Sequence, residues 1–198
     1  MFTLHCLIDY FLSKKKRLYC AFIYYEQAFD YVERSSLWHK LLEYGINGRI
    51  LRVVQVLYNQ AKSCIRVDNQ LSDVFQCHAG VRQGENLSPL LFALYLNDLK
   101  QYLSEKVEGL TTLKHEAVSM EMEETDINTL FKMFILLYAD DTVICAESPK
   151  SLQDALDKMS NYCDKWKLNI NVQKTKIIVF SRGKIRKLPT FMCRNQKN

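Results

Sequence analysis

The chain has 198 residues, of which 48% are hydrophobic and 25% charged, with only six glycines and three prolines. That composition excludes a disordered or fibrous chain and suits a domain with its own core. The formal net charge of +5 permits an anionic partner such as nucleic acid without requiring one.

Leu4, Leu7, Ile8, Phe11 and Leu12 recur at helical spacing and predict an amphipathic helix over residues 3–13. The basic run Lys14-Lys15-Lys16-Arg17 suits the end of that helix, and a phosphate contact is its functional alternative. Leu18 to Tyr25 is an apolar, aromatic-rich run that predicts a buried strand. Ser35 and Ser36 offer N-caps for a helix carrying Leu37, Trp38, Leu41 and Leu42 and stopped at Gly45; a second helix fits Arg49–Gln60. The stretch 65–71 predicts a hairpin turning at Asp68-Asn69, with a further strand near 74–77. Ser88-Pro89 predicts a capped helix start that runs through Leu99.

Residues 104–128 are polar, acidic towards their end and poorly periodic, which predicts a surface insertion. Two apolar strands, 131–138 and 142–146, flank Asp140-Asp141. A helix over about 150–166 and a strand over 176–180 follow, then a basic tail that reads more as a connection than as a domain. The element order predicts an α+β fold: a mostly antiparallel sheet with helices packed on one face.

The seven cysteines are odd in number and form no CxxC pair, as expected of small hydrophobes in a reducing compartment. Cys77-His78 lacks a second ligand pair at zinc spacing. Residues 2–12 are apolar-rich but too short to span a bilayer and lack the flanks of a signal peptide. The expectation is an intracellular protein, cytoplasmic or nuclear, with no membrane contact.

Asp140-Asp141 between two apolar strands carries the chemistry. A turn does not need two adjacent carboxylates, and their repulsion calls for a counter-charge. Magnesium, which prefers carboxylate oxygens, would supply one. As a spacing alone the pair is weak.

Its context strengthens it. Tyr138-Ala139-Asp140-Asp141 between apolar flanks resembles the central motif of reverse transcriptases. Ahead of it, Gly80-Val81-Arg82-Gln83-Gly84 followed by Leu87-Ser88-Pro89 is similar to the family's Gly-Val-Arg-Gln-Gly-x-x-Leu-Ser-Pro motif. The stretch from Ala21 to Asp30 resembles the first palm motif, and Trp166-Lys167-Leu168-Asn169 with Lys174-Thr175-Lys176 the fourth. Four motifs in order are a strong signal. Asn47-Gly48 and Lys62-Ser63-Cys64 suit the non-LTR, LINE-type branch.

The resemblance implies a polymerase palm over residues 18–182, with 1–17 as a remnant of the fingers region and 183–198 as a basic tail. It implies two-metal phosphoryl transfer with Mg2+, or Mn2+, on an RNA template and a DNA primer, consuming deoxynucleoside triphosphates, with no small-molecule cofactor. Asp140 and Asp141 take the positions of two metal ligands. Phe29 takes that of the steric gate, and Arg82, Gln83 and Gly84 fall in the segment that lies under the nascent base pair. Lys174 takes the position of a triphosphate contact or general acid.

The pattern breaks at one place. Tyr24 occupies the position of the first-motif aspartate, the third metal ligand. A phenol is neutral at pH 7 and larger than a carboxylate. Glu26 on the same strand face is displaced by roughly 6–7 Å, too far to substitute. Severe loss of polymerase activity is therefore expected. Non-catalytic nucleic-acid binding, or an expressed relic of a mobile element, stands as the alternative. Against the family pattern, fingers and thumb are also expected to be largely missing, as in a truncated copy.

Overall fold

Leu18–Ile23 is buried along nearly its whole length, and it forms the central strand β1. The computed structural model describes residues 2–104, 135–138, 141–184, 189–193 and 196–197. The expected polar insertion lies almost wholly outside the described residues, as do Asp140 and residues 185–188 of the basic tail.

The described chain forms two compact units. The first comprises 1–26, 98–165 and 169–198. It opens with helix α1 (Phe2–Ser13), whose buried Leu4, Leu7 and Phe11 follow the predicted stripe. Lys16 N donates to Phe11 O and Lys15 N to Leu12 O, with Lys15 in the left-handed region at φ 55°. This pattern closes a helix C-terminus, so the basic run is a helix end.

Strand β1 lies inside a four-stranded antiparallel sheet. Numbering strands in chain order, β6 (Ile135–Tyr138), β7 (Asp141–Ala146) and β8 (Lys176–Phe180) join it in the order β6-β7-β1-β8. Tyr19 pairs with Ala146 and Ile23 with Thr142; on the other side Leu18 pairs with Phe180 and Phe22 with Lys176. Cys20 and Cys145 face each other across β1 and β7 as buried free thiols, with sulfurs 3.5 Å apart. Their mutual hydrogen bond, then burial, push the Cys20 thiol far up from its ordinary pKa.

Helix α6 (Pro149–Lys165) packs on β1 and β7 through Leu152, Ala155, Leu156, Met159, Tyr162 and Cys163. Ser148 caps it, its Oγ accepting from Ser151 N at 3.1 Å, and Pro149 takes the first helical position. The tail does more than connect. Strands β9 (Met192–Cys193) and β10 (Gln196–Lys197) pair, and Gln153 on α6 exchanges two hydrogen bonds with the Met192 backbone. Phe191 and Cys193 are buried there.

The second unit comprises 27–97 and 166–168. Helix α2 (Arg34–Glu43) starts ahead of the two serines expected to cap it; Glu33 is the residue before it, and Ser36 Oγ donates to Glu33 Oε2. Helix α3 (Gly48–Asn59) follows as expected. Asp68 (φ 44°) and Asn69 (φ 71°) turn the predicted hairpin between β3 (Arg66–Val67) and β4 (Gln70–Leu71). A second ladder joins β2 (Lys62–Ser63) to β5 (Phe75–Gln76).

Helix α4 (Leu87–Leu96) begins before Ser88, contrary to the expected cap. Ser88 is buried and shares a hydrogen bond with the Tyr58 hydroxyl at 3.0 Å, so tertiary packing claims the side chain that local chemistry assigned to a cap. The expected run through Leu99 is also broken. Helix α4 stops at Leu96, and α5 (Leu99–Ser104), in the first unit, starts after Asp98, whose carboxylate accepts from the Tyr162 hydroxyl at 2.5 Å. Among the described residues, no helix is long and apolar enough to cross a membrane.

Candidate active site

Register places the first group of residues. In the β1–β7 ladder Ile23 faces Thr142, and in the β1–β8 ladder Phe22 faces Lys176. Antiparallel pairing advances one strand as it retreats on the other. Continued one residue past the end of β1, the first register sets position 24 beside Asp141; on the other side the ladder stops at Phe22–Lys176, Lys174 lies in the turn over 172–174, and Tyr25 bridges to Ile170. Asp141 and Tyr24 thus form a row across one end of the sheet, and the Lys174 side chain reaches Tyr24 from the adjoining turn.

Several bonds fix Tyr24 in that row. Tyr24 N donates to Thr175 Oγ1 at 3.2 Å, and Asn171 N donates to Tyr24 O at 2.8 Å. The next residue, Tyr25, points into the core, where its hydroxyl meets Thr142 Oγ1 at 3.2 Å. Burial pushes the Tyr25 phenol well above its ordinary pKa. With Tyr25 locked inward, the alternation of the strand turns Tyr24 outward, and it is 40% exposed.

The Tyr24 ring lies beneath Lys174 Nζ, 4.7 Å from the ring centroid. Lys174 is itself oriented by its backbone N–H, which donates to Asn171 Oδ1 at 3.0 Å. Asp141 is exposed. The described donor set is therefore one carboxylate, one phenol and one ammonium. Among the described residues that leaves one anionic group, and a pair of divalent cations needs several anionic oxygens. Among the described residues no three His, Cys, Asp or Glu side chains form a group able to hold a metal ion. Asp140, the other expected ligand, lies outside the described residues.

The remaining expected residues belong to the second unit. Phe29 is half-buried, its ring 5.0 Å from that of Phe92. Arg82 is tied within its own unit, donating to Glu85 Oε1 at 2.6 Å and to Leu57 O at 2.8 Å. Gln83 donates to both oxygens of Asp30. Gly84 is exposed, at φ 85°.

One residue that shapes this loop, Arg34, was not picked out in the sequence. Arg34 is buried and donates to four backbone carbonyls: Gly80 (3.0 Å), Tyr58 (2.8 Å), Cys77 (2.6 Å) and Ala79 (3.1 Å). Asp30 approaches so closely that a Cβ on Gly80 would stand 2.6 Å from its carbonyl oxygen. An arginine at the first position of a helix carries no signal of such a role; the glycine in the Gly-x-x-Gln-Gly pattern was the visible half of the contact.

A family model described as reverse transcriptase (RNA-dependent DNA polymerase) matches residues 3–194. The chain belongs to the reverse transcriptase family. It is 26% identical over 191 residues to the RNA-directed DNA polymerase from mobile element jockey of Drosophila melanogaster, a match covering 90% of this chain and 18% of that protein. It is 29% identical over 156 residues to the Pol polyprotein of the type-2 retrotransposable element R2DM of the same species, covering 79% of this chain and 13% of that protein. This reverse transcriptase domain is thus of the non-LTR retrotransposon type, and it spans less than a fifth of the length of these relatives. The fold is similar to that of apo telomerase from Candida tropicalis, with a TM-score of 0.58 at 18% identity, over 98% of this chain and 39% of that one. Telomerase from the same organism in complex with a fragment of telomeric RNA gives a TM-score of 0.60 at 17% identity, over 95% of this chain and 30% of that one. The family's chemistry uses divalent metal ions.

Proposed function

We propose that this chain is the palm, residues 18–182, of an RNA-directed DNA polymerase that takes an RNA template, a DNA primer and a deoxynucleoside triphosphate but has lost most of its power to join them. The observation that carries this reading is Tyr24 just past the end of β1, one residue beyond the Ile23–Thr142 pair, with its ring under the ammonium group of Lys174. In this reading Asp140 and Asp141 are the metal-holding carboxylates that remain, Phe29 is the steric gate, and Lys174 faces the triphosphate. Phosphoryl transfer depends on positioning and on offsetting the charge that develops, and a site short of one carboxylate holds its cations poorly. Manganese, which binds such oxygen donors more tightly than magnesium, is the better probe of a weakened site.

Primer extension on an RNA template tests this, with magnesium and then manganese, comparing the given chain with Tyr24→Asp and Asp140→Ala. Extension by Tyr24→Asp alone supports the reading and makes the tyrosine the lesion. Extension by the given chain, abolished by Asp140→Ala, would show that position 24 is dispensable and would overturn the inactivity claim. If no variant extends but the chain binds primer–template with a steep salt dependence and no need of magnesium, the nucleic-acid-binding reading replaces it.

A further inference from the structure

Cys20 and Cys145 pair directly across β1 and β7, between the pairs Tyr19–Ala146 and Ala21–Ile144. Residues directly opposite in an antiparallel ladder have Cα atoms about 4.5 or 5.5 Å apart and side chains on one face. Either spacing lies within the span of about 4.4–6.8 Å that a disulfide bridges. The two sulfurs are already 3.5 Å apart. A bond of about 2.05 Å asks them to close by about 1.5 Å, with no change of strand register. Neither thiol takes part in the palm reading above.

We propose that Cys20 and Cys145 form a reversible disulfide site, closed by a low-molecular-weight disulfide such as oxidised glutathione. One cysteine attacks the oxidised glutathione, and the first glutathione leaves as a thiol. The other cysteine then attacks the mixed disulfide and releases the second glutathione. Two protein S–H bonds and the glutathione S–S bond break; one protein S–S bond and two glutathione S–H bonds form. The protein loses two electrons and glutathione gains them. The fold sets the order of attack. Cys145 is the last residue but one of β7, so fraying of that strand end uncovers it first. Cys20 is fully buried inside β1, where its hydrogen bond to Cys145 and then burial keep it protonated. Cys145 is therefore the attacking thiol, and Cys20 resolves the mixed disulfide. Burial of both makes the exchange slow while the sheet is closed.

The test is thiol mapping of the full chain in glutathione buffers, approached from two sides. In one, the folded reduced chain is equilibrated with the buffer. In the other, the reduced chain is refolded from urea into it, so that oxidant reaches the thiols before the sheet closes. Samples are quenched in acid, alkylated, digested and weighed. A peptide joining Cys20 to Cys145 is expected by both routes and should vanish with dithiothreitol. It should be half formed at a ratio of squared reduced to oxidised glutathione about 100-fold higher in buffer than in concentrated urea, because the fold presents one thiol to the other. The bridged chain should also unfold at higher urea than the reduced chain, since the bridge ties residues 125 positions apart. Cys145→Ala should abolish that shift; if this variant does not fold, the mapping of the given chain decides alone. Cys6 and Cys64 are exposed and report that the oxidant acts. Cys20 and Cys145 both alkylated by either route while Cys6 and Cys64 carry glutathione, or a bridge no more favoured in buffer than in urea, would overturn the site.

Discussion

Lys174 Nζ stands 4.7 Å above the ring of Tyr24, reaching it from the turn that precedes β8. The contact sets a cation against the π face of a tyrosine. An exposed pair of this kind contributes only about 0.5–1 kcal/mol. Lys174→Ala is therefore expected to lower the stability of the given chain by no more than that, measured by urea denaturation. In a Tyr24→Asp background the same lysine faces a carboxylate, and its removal should reduce extension far more than stability.

Arg34 is expected to be far more sensitive. Its guanidinium serves four carbonyls at once, three of them in the segment 77–80. Arg34→Met fills similar space but leaves those acceptors without their donor, at a cost of about 3–5 kcal/mol. Arg34→Lys cannot span them, because an ammonium is a point donor and not a planar fork. If chemical denaturation found Arg34→Lys as stable as the given chain, the hydrogen-bond account of this loop would be wrong.

Gly80 is the other half of that loop. It sits at φ 80°, and an added Cβ would meet the Asp30 backbone at 2.6–3.0 Å. Gly80→Ala must therefore move backbone against backbone, costing at least about 2 kcal/mol. Gly84, also at positive φ, has nothing within 4 Å of an added Cβ. Gly84→Ala should cost only its backbone strain, about 1 kcal/mol. Thermal unfolding of the two variants side by side checks the order.

Lys167 and Glu33 give a pH dependence. Lys167 adopts the left-handed region at φ 55° and pairs with Glu33 Oε1. The hydrogen bond from Lys167, then that from Ser36, hold the Glu33 carboxyl below its usual pKa. A depressed folded-state pKa contributes stability above the unfolded value of 4.5, and that contribution is lost as pH falls through the folded value. Lys167→Gly removes the pair and relieves backbone strain of about 1 kcal/mol. Near pH 7 the two effects oppose and the variant should be close to neutral. Below the folded-state pKa of Glu33 only the relief remains, so Lys167→Gly should become the more stable form. Denaturation across pH 3–7 checks the crossing.

Lys40 tests the core of the second unit. Its side chain is fully buried, Nζ donates to Tyr95 O and lies 3.8 Å from the Trp166 ring centroid. Lys40→Ala leaves a cavity and an unserved carbonyl, and should cost about 2–5 kcal/mol. Lys40→Met keeps the volume and should recover part of that in the same assay.

Much of this was legible in the sequence. The apolar run of β1, the stripes of α1 and α6 and the turn at Asp68-Asn69 follow from side-chain period and local backbone preference, which neighbouring residues settle among themselves. The motif order gave the family. Caps were less legible. Ser88 carried the local signature of one, yet Tyr58 claims it, while Ser148 holds the true cap. A short polar side chain serves whichever partner the tertiary structure brings, and composition does not name that partner.

What only the tertiary structure decided are relations between distant residues. Tyr24 and Thr175 lie 151 positions apart, Arg34 and Gly80 46, Asp30 and Gln83 53. Strand register and the service of buried or facing polar groups arise when the chain closes on itself, and no local pattern encodes them. The sequence determined that a tyrosine stands at position 24; the fold decided that its ring lies beneath the Lys174 ammonium group, and that the Gln83 amide donates to Asp30.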